Sequence, residues 1–339
     1  MAQPFDSSRM ESVGEAVPIA EPVGTTLSRA FFSVSPAGVL AYRGGGGAVT
    51  QLTWHDRQGN PLARAGEPGD YDYQDIALSP DGSRVAYSRA TQSAGRQIWI
   101  LDLARAVQSR FTFVPDGARG PVWSPDGRYL AFGSQTRGAL YRKQVNSSED
   151  AQLLFQAAGA TANDWSRDGR YLVFNQASGR GDLTAIANPS GTGTATPIVI
   201  ANSEFSESHG QVSPDSRWLA YDSNESGRPE IYVIPFPPGD GRTGKSLVSS
   251  NGGSEPRWRA DGKELYYLDP SHSIMAVDVS TQPTFQAATP QRLFTAGAIT
   301  NDALLFQYDV ARDGKRFLMI SPIEGAISAP ATVVLNWDR

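Results

Sequence analysis

The run VWSPDGRYLAFGS, Val122 to Ser134, returns in altered form along nearly the whole chain. Its counterparts are LSPDGSRVAYS from Leu78, DWSRDGRYLVFNQ from Asp164, VSPDSRWLAYDS from Val212, WRADGKELYYLD from Trp258 and VARDGKRFLMIS from Val310. A worn copy, VSPAGVLAYR, starts at Val34 and makes seven. The turn residue of each copy falls at Gly38, Gly82, Gly127, Gly169, Ser216, Gly262 and Gly314. A repeat of roughly 40 to 50 residues is the spacing of propeller blades, each built from four short strands.

The Val122 copy divides as a blade should. Pro121 to Ser124 reads as an inner strand and Pro125-Asp126-Gly127-Arg128 as a tight turn. Tyr129 to Gly133, Leu140 to Val145 and Gln152 to Phe155 supply three further strands. Asp can bond nearby backbone through its carboxylate, and Gly accepts the positive φ that such turns demand. Proline ahead of them fixes one dihedral and interrupts the ladder.

Aligned on the turn, the copies share a bulky apolar residue: Val34, Leu78, Trp123, Trp165, Val212, Trp258 and Val310. These are expected to wedge between adjacent blades. The second-strand aromatics Tyr87, Phe132, Phe174, Tyr221 and Tyr267 are expected in the core by the same argument. The fold is therefore read as all-β, a seven-bladed β-propeller of four-stranded antiparallel blades, with six or eight as the alternative counts. A single domain spans 1–339, with repeats near 29–70, 71–116, 117–158, 159–203, 204–250, 251–296 and 297–339.

Residues 1–28 read as a half-blade, because Met1 to Asp6 is similar to Met275 to Asp278. A start halfway through a blade is how a segment of a longer protein would begin. Ala331 to Trp337 reads as a strand without a successor. Residues around Ala16 to Ala20 are expected to add the outer strand of the last blade, so that the two chain ends close the ring and leave few exposed edges.

Composition narrows the function classes. No run of 18 or more apolar residues is present, so no membrane insertion is expected. The opening lacks a basic stretch followed by an apolar core, so no signal peptide is expected either. A formal net charge of −5, with no basic run, argues against nucleic acid. There are no cysteines, which removes thiolate chemistry and disulfides.

The W-S-P-D-G-R core and its variants resemble the repeats of TolB-like propellers, bacterial relatives of the tryptophan-aspartate-repeat propellers. The segments SNESGRPEIYVIPFPPGDG from Ser223 and NGGSEPRWRADGKELYYL from Asn251 are similar to propeller regions at the C-terminus of some bacterial serine/threonine protein kinases. The resemblance implies a periplasmic or extracytoplasmic sensor or interaction domain, with the cytoplasm as the alternative location. No kinase motif is present in the chain.

Catalytic patterns are sparse. The three histidines, His55, His209 and His272, are too dispersed for a zinc site, and no G-x-S-x-G elbow occurs. Asp70, Asp72, Gln74 and Asp75 begin like a calcium loop, but Asp75 stands where glycine is required, so a solvated acidic loop is expected. No metal and no cofactor is assigned.

One constellation remains. At the leading end of the inner strands stand Asp75, His209 and Glu255, and two residues further along come Asp164, Arg257 and Asp309. Together they are expected to line one hydrated funnel mouth. Tyr71, Tyr73 and Phe205 are aromatics in polar loops and candidates for an interface. The function read from this pattern is a non-catalytic, monomeric scaffold that binds a protein partner or an envelope ligand. The alternative is a metal-dependent lyase or hydrolase acting on an acidic sugar in the funnel.

Overall fold

The computed structural model describes residues 3, 5–20, 23, 25–26, 29–43, 50–69, 75–91, 95–134, 138–157, 159–176, 181–191, 196–239, 241–296, 306–322 and 331–335. Among them every regular element is a β-strand. The chain forms two compact units: Met1–Thr50, Pro68–Tyr71 and Pro322–Arg339 in the smaller, Gln51–Glu67 and Asp72–Ser321 in the larger.

The larger unit carries six sheets among the described residues. The first runs Ile76–Leu78, Arg84–Thr91, Gly95–Asp102, Val107–Arg110. The second runs Ala118–Trp123, Tyr129–Ser134, Ala139–Gln144, Gln152–Gln156, and the third Thr161–Trp165, Tyr171–Gln176, Asp182–Ala187, Pro197–Ala201. The fourth runs Glu207–Val212, Trp218–Ser223, Glu230–Pro235, Ser246–Leu247. In the fifth, Ser254–Trp258 and Glu264–Leu268 lead to Ser273–Ser280, whose two halves pair with Gln291–Thr295 and Gln286–Ala287. The sixth joins Tyr308–Val310 and Arg316–Pro322 to Thr50–Asp56 and Pro61–Gly69. Inner strands of successive sheets lie against one another in chain order, and the sixth lies against the first.

The repeated turn explains the repeated hairpin. In the first sheet the Ser79 hydroxyl donates to Asp81 Oδ1 at 2.6 Å, and that oxygen also accepts the N–H of Ser83 at 3.0 Å. Ser79 Oγ in turn accepts the N–H of Arg84 at 2.9 Å, and Gly82 takes φ +71°. The same Ser-to-Asp bond measures 2.6 Å at Ser124–Asp126, Ser166–Asp168 and Ser213–Asp215. In the fourth sheet the left-handed position is occupied by Ser216, at φ +56°. An L-residue there costs about 1–2 kcal/mol relative to glycine's freedom.

The wedge residues pack as the alignment requires in six copies. Trp123, Trp165 and Val212 are buried, while Leu78, Trp258 and Val310 are half-buried. Trp123 Nε1 donates to Ala77 O at 2.9 Å and Trp258 Nε1 to Gln211 O at 3.0 Å, each to the inner strand of the preceding sheet. The second-strand aromatics Tyr87, Phe132, Phe174, Tyr221 and Tyr267 are all buried.

The worn copy behaves differently from the other six. Phe32–Val34 and Val39–Arg43 form a three-stranded sheet with Ala331–Leu335 in the smaller unit, and Val34 is 50% exposed. This copy replaces Asp-Gly by Ala37-Gly38, so no carboxylate can tie its turn. The strands that follow it, Thr50–Asp56 and Pro61–Gly69, complete the sheet of the Val310 copy. Ala331–Leu335 pairs with Val39–Arg43. Phe5–Asp6 pairs with Glu11–Ser12 as a separate two-stranded hairpin in the same unit.

Candidate functional site

The leading tier of expected funnel residues is not a hydrated mouth. Asp75, His209 and Glu255 are 4%, 2% and 3% exposed. Asp75 Oδ2 accepts the Ser88 hydroxyl and the backbone N–H of Gly120, both at 2.9 Å. Burial pushes its carboxyl up to about 7 despite those bonds. The solvated loop expected at Asp75 is therefore a buried tie between the first and second sheets; Asp70, Asp72 and Gln74 lie outside the described residues. Glu255 does the equivalent work between the fifth and sixth sheets, accepting the N–H of Gln307 at 2.7 Å. Burial pushes it up to about 7 as well, with the charge of His209 pulling the other way.

His209 sits beside Asp222, with Nδ1 and Asp222 Oδ1 2.6 Å apart, while its Nε2 is buried without a partner. Burial alone would lower the imidazole's pKa, but Asp222 and then Glu255 outweigh it and raise it. His209 and Glu255 take φ +53° and +55°, as Gly120 does at +62° in the same register. A ladder irregularity occurs there in each of those inner strands, so the left-handed residue belongs to a bulge.

The second tier crosses the centre of the ring of sheets. Asp164 Oδ2 accepts the N–H of Val212 at 2.8 Å, and Asp309 Oδ2 that of Leu78 at 2.7 Å. Burial pushes Asp164 up to about 7. Arg257, on the fifth sheet, donates to Tyr308 O, Gln211 Oε1 and Ile76 O, each at 3.3 Å, and lies 3.8 Å from Asp309 Oδ1. Its guanidinium covers the Phe306 ring at 3.8 Å, and His209 meets the same ring edge-on at 4.9 Å. The six candidates thus fall on two levels, with Phe306 between His209 and Arg257.

The open space is at the other end of the inner strands. A cavity of ≈ 400 Å³ is floored by Asp164, Gln211, Arg257, Phe306 and Asp309 and rimmed by the repeated turns. The residue after the Ser/Arg position contributes from all six sheets: Pro80, Pro125, Arg167, Pro214, Ala260 and Arg312. Arg167 and Arg312 escaped the sequence reading, though a signal was present: both replace the proline of the consensus turn. Partial desolvation and the charge of Arg312 hold the pKa of Arg167 below its usual value. Of the interface candidates, Phe205 is half-buried, and Tyr71 and Tyr73 lie outside the described residues. Among the described residues no three His, Asp or Glu side chains gather as a metal site would need.

No protein-family model matches this sequence, and comparison with curated proteins finds no match. Solved structures do resemble it. A protein assigned as TolB from Agrobacterium tumefaciens aligns over 82% of this chain and 99% of its own, at 14% identity and a TM-score of 0.59. A β-propeller domain from Myceliophteria thermophila aligns over 80% and 88%, at 12% identity and 0.52. The periplasmic gluconolactonase of Pseudomonas aeruginosa aligns over 86% and 91%, at 16% identity and 0.50. The fold is a TolB-like β-propeller. Folds of this kind hold both binding proteins and enzymes, so function must be argued from the site.

Proposed function

We propose that this chain is a non-catalytic scaffold, a monomer acting outside the cytoplasm, that receives a protein partner at the turn-end funnel. One observation carries this reading. The acidic side chains expected to line the funnel each hold the backbone N–H of a neighbouring sheet: Asp75 that of Gly120, Asp164 of Val212, Glu255 of Gln307 and Asp309 of Leu78. A general base must offer its lone pair to substrate, and a nucleophile must be reachable. These groups are engaged in joining blades. No helix among the described residues is long and apolar enough to cross a membrane. The TolB-like fold supports an interaction role, and attachment to a longer signalling protein fits the same reading.

A second reading is a small sugar-acid ligand, favoured by the size of the cavity and its arginines, and consistent with a lactonase among the structural neighbours. Two assays separate the readings. The chain and an Ala260→Trp variant, whose new side chain obstructs the mouth, are used to capture proteins from an envelope extract. Hydrolysis of D-glucono-1,5-lactone is followed in parallel, with and without added divalent metal. The scaffold reading expects one protein held by the parent and lost by the variant, and lactone hydrolysis at the buffer rate. Hydrolysis above that rate, abolished by Ala260→Trp, overturns it.

A further inference from the structure

We infer that the funnel takes a carboxylate, clasped between Arg167 and Arg312. This rests on the reading of the funnel as a binding site and names the chemistry of what enters. Of the copies on the six sheets, two share a pattern the other four lack: DWSRDG from Asp164 and DVARDG from Asp309. They stand on the third and sixth sheets, opposite one another in the order of the ring. Their arginines therefore reach the same cavity from opposed sides, while the equivalent positions on the other sheets are proline or alanine.

The two guanidiniums keep donors in reserve. Arg312 Nη1 donates to Pro80 O at 2.6 Å, which anchors the side chain and leaves its remaining N–H groups without an acceptor among the described residues. Arg167 makes no hydrogen bond or ion pair with any described residue. Asp164 and Asp309 attract Arg167 from the floor without reaching it by a hydrogen bond, and the acidic groups around the two arginines each hold a partner of their own. Asp309 faces Arg257 and holds Leu78, Asp164 holds Val212, Asp81 ties Ser79 and Ser83, and Asp313 accepts the N–H of Lys315. The remaining cation of the cavity, Arg316, lies over Trp54 at 4.9 Å.

Two like charges facing one cavity repel, and an anion between them relieves the repulsion. The planar fork of a guanidinium matches the two oxygens of a carboxylate. Asn163, 2% exposed and lining the same cavity, has both side-chain amide atoms without a partner. The carboxylate could come from an acidic peptide or from a sugar acid, and the test distinguishes them.

Four tryptophans line the cavity, Trp54, Trp123, Trp165 and Trp258, so intrinsic fluorescence reports occupancy. The folded chain is titrated with D-gluconate and with acetyl-Ala-Ala-Glu bearing a free C-terminus. D-glucose and the amidated acetyl-Ala-Ala-Gln serve as neutral counterparts. A saturable change with at least one carboxylate and with neither neutral compound is expected. Arg167→Gln and Arg312→Gln should each weaken binding about tenfold or more. Both residues are exposed, so circular dichroism should show the variants folded. No saturation by either carboxylate up to about 10 mM overturns the inference. So does binding unchanged in the double variant. Peptide and neutral amide bound equally would leave the scaffold standing without the clasp. Gluconate bound and peptide refused would keep the clasp and remove the protein partner.

Discussion

Asp309 Oδ2 accepts the backbone N–H of Leu78 at 2.7 Å, joining residues 231 positions apart in the chain. Asp164 Oδ2 and Val212 N repeat the arrangement at 2.8 Å between the third and fourth sheets. A propeller has no central layer of helices to hold its sheets, so such ties carry part of the burden of keeping blades in register. Removing either carboxylate strands a donor in a half-buried setting, at a cost of about 1–3 kcal/mol. Asp309→Ala and Asp164→Ala should each lower the urea midpoint accordingly, with little change in the slope of the transition. An unchanged midpoint in both would deny the ties any energetic role.

Ser216 offers a test in the stabilising direction. It occupies the left-handed turn position that glycine fills in the other sheets, and its buried hydroxyl has no partner. Ser216→Gly removes both the backbone strain and an unsatisfied polar group, offset by glycine's extra freedom in the unfolded chain. A gain of about 0.5–1 kcal/mol is expected. Calorimetry showing a lower melting temperature for Ser216→Gly would contradict the assignment of strain.

The wedge position predicts a contrast within one alignment column. Trp123 is 6% exposed and should cost about 3–5 kcal/mol on truncation to alanine. Val34, 50% exposed in the smaller unit, should cost less than about 0.5 kcal/mol. Equal losses would mean that the worn copy packs like the rest.

Stability should fall as pH rises from 6.5 to 8. Burial raises Asp75, Asp164 and Glu255 to about 7, so the folded state holds protons that the unfolded state has already released. His209, raised by Asp222, acts with the same sign. His55, lowered by burial, opposes them only around and below its usual value. Each retained proton contributes a slope of about 1.4 kcal/mol per pH unit. Asp75→Asn keeps an oxygen for Ser88 and Gly120, so it should flatten the slope and melt higher than the parent at pH 8. Identical melting temperatures for the parent at pH 6.5 and 8 would count against these protonated carboxyls.

Much of the fold was legible because its cause is local. The tight turn, the bulky apolar wedge and the apolar second strand are each set within a dozen residues, and each recurs in the six sheets in one variant or another. In the Val122 copy the strands lie within a few residues of where the alternation puts them. What escaped depends on distant chain. The Val34 copy pairs with Ala331–Leu335, which no repeat motif records. Asp75, His209 and Glu255 looked wet because strand ends often are; the neighbouring sheet buries them. The arginines at 167 and 312 were visible as departures from proline, but attention to what the copies share hides what two of them share alone.

The placement of Arg257 restricts what can dock. From the fifth sheet it touches groups on the first, fourth and sixth, with Phe306 beneath its guanidinium. The funnel is therefore stoppered. No strand of another molecule can thread through it, and only a free end or the tip of a tight loop can reach the floor. Arrival and departure share one doorway, so anything that caps the mouth traps whatever is already inside.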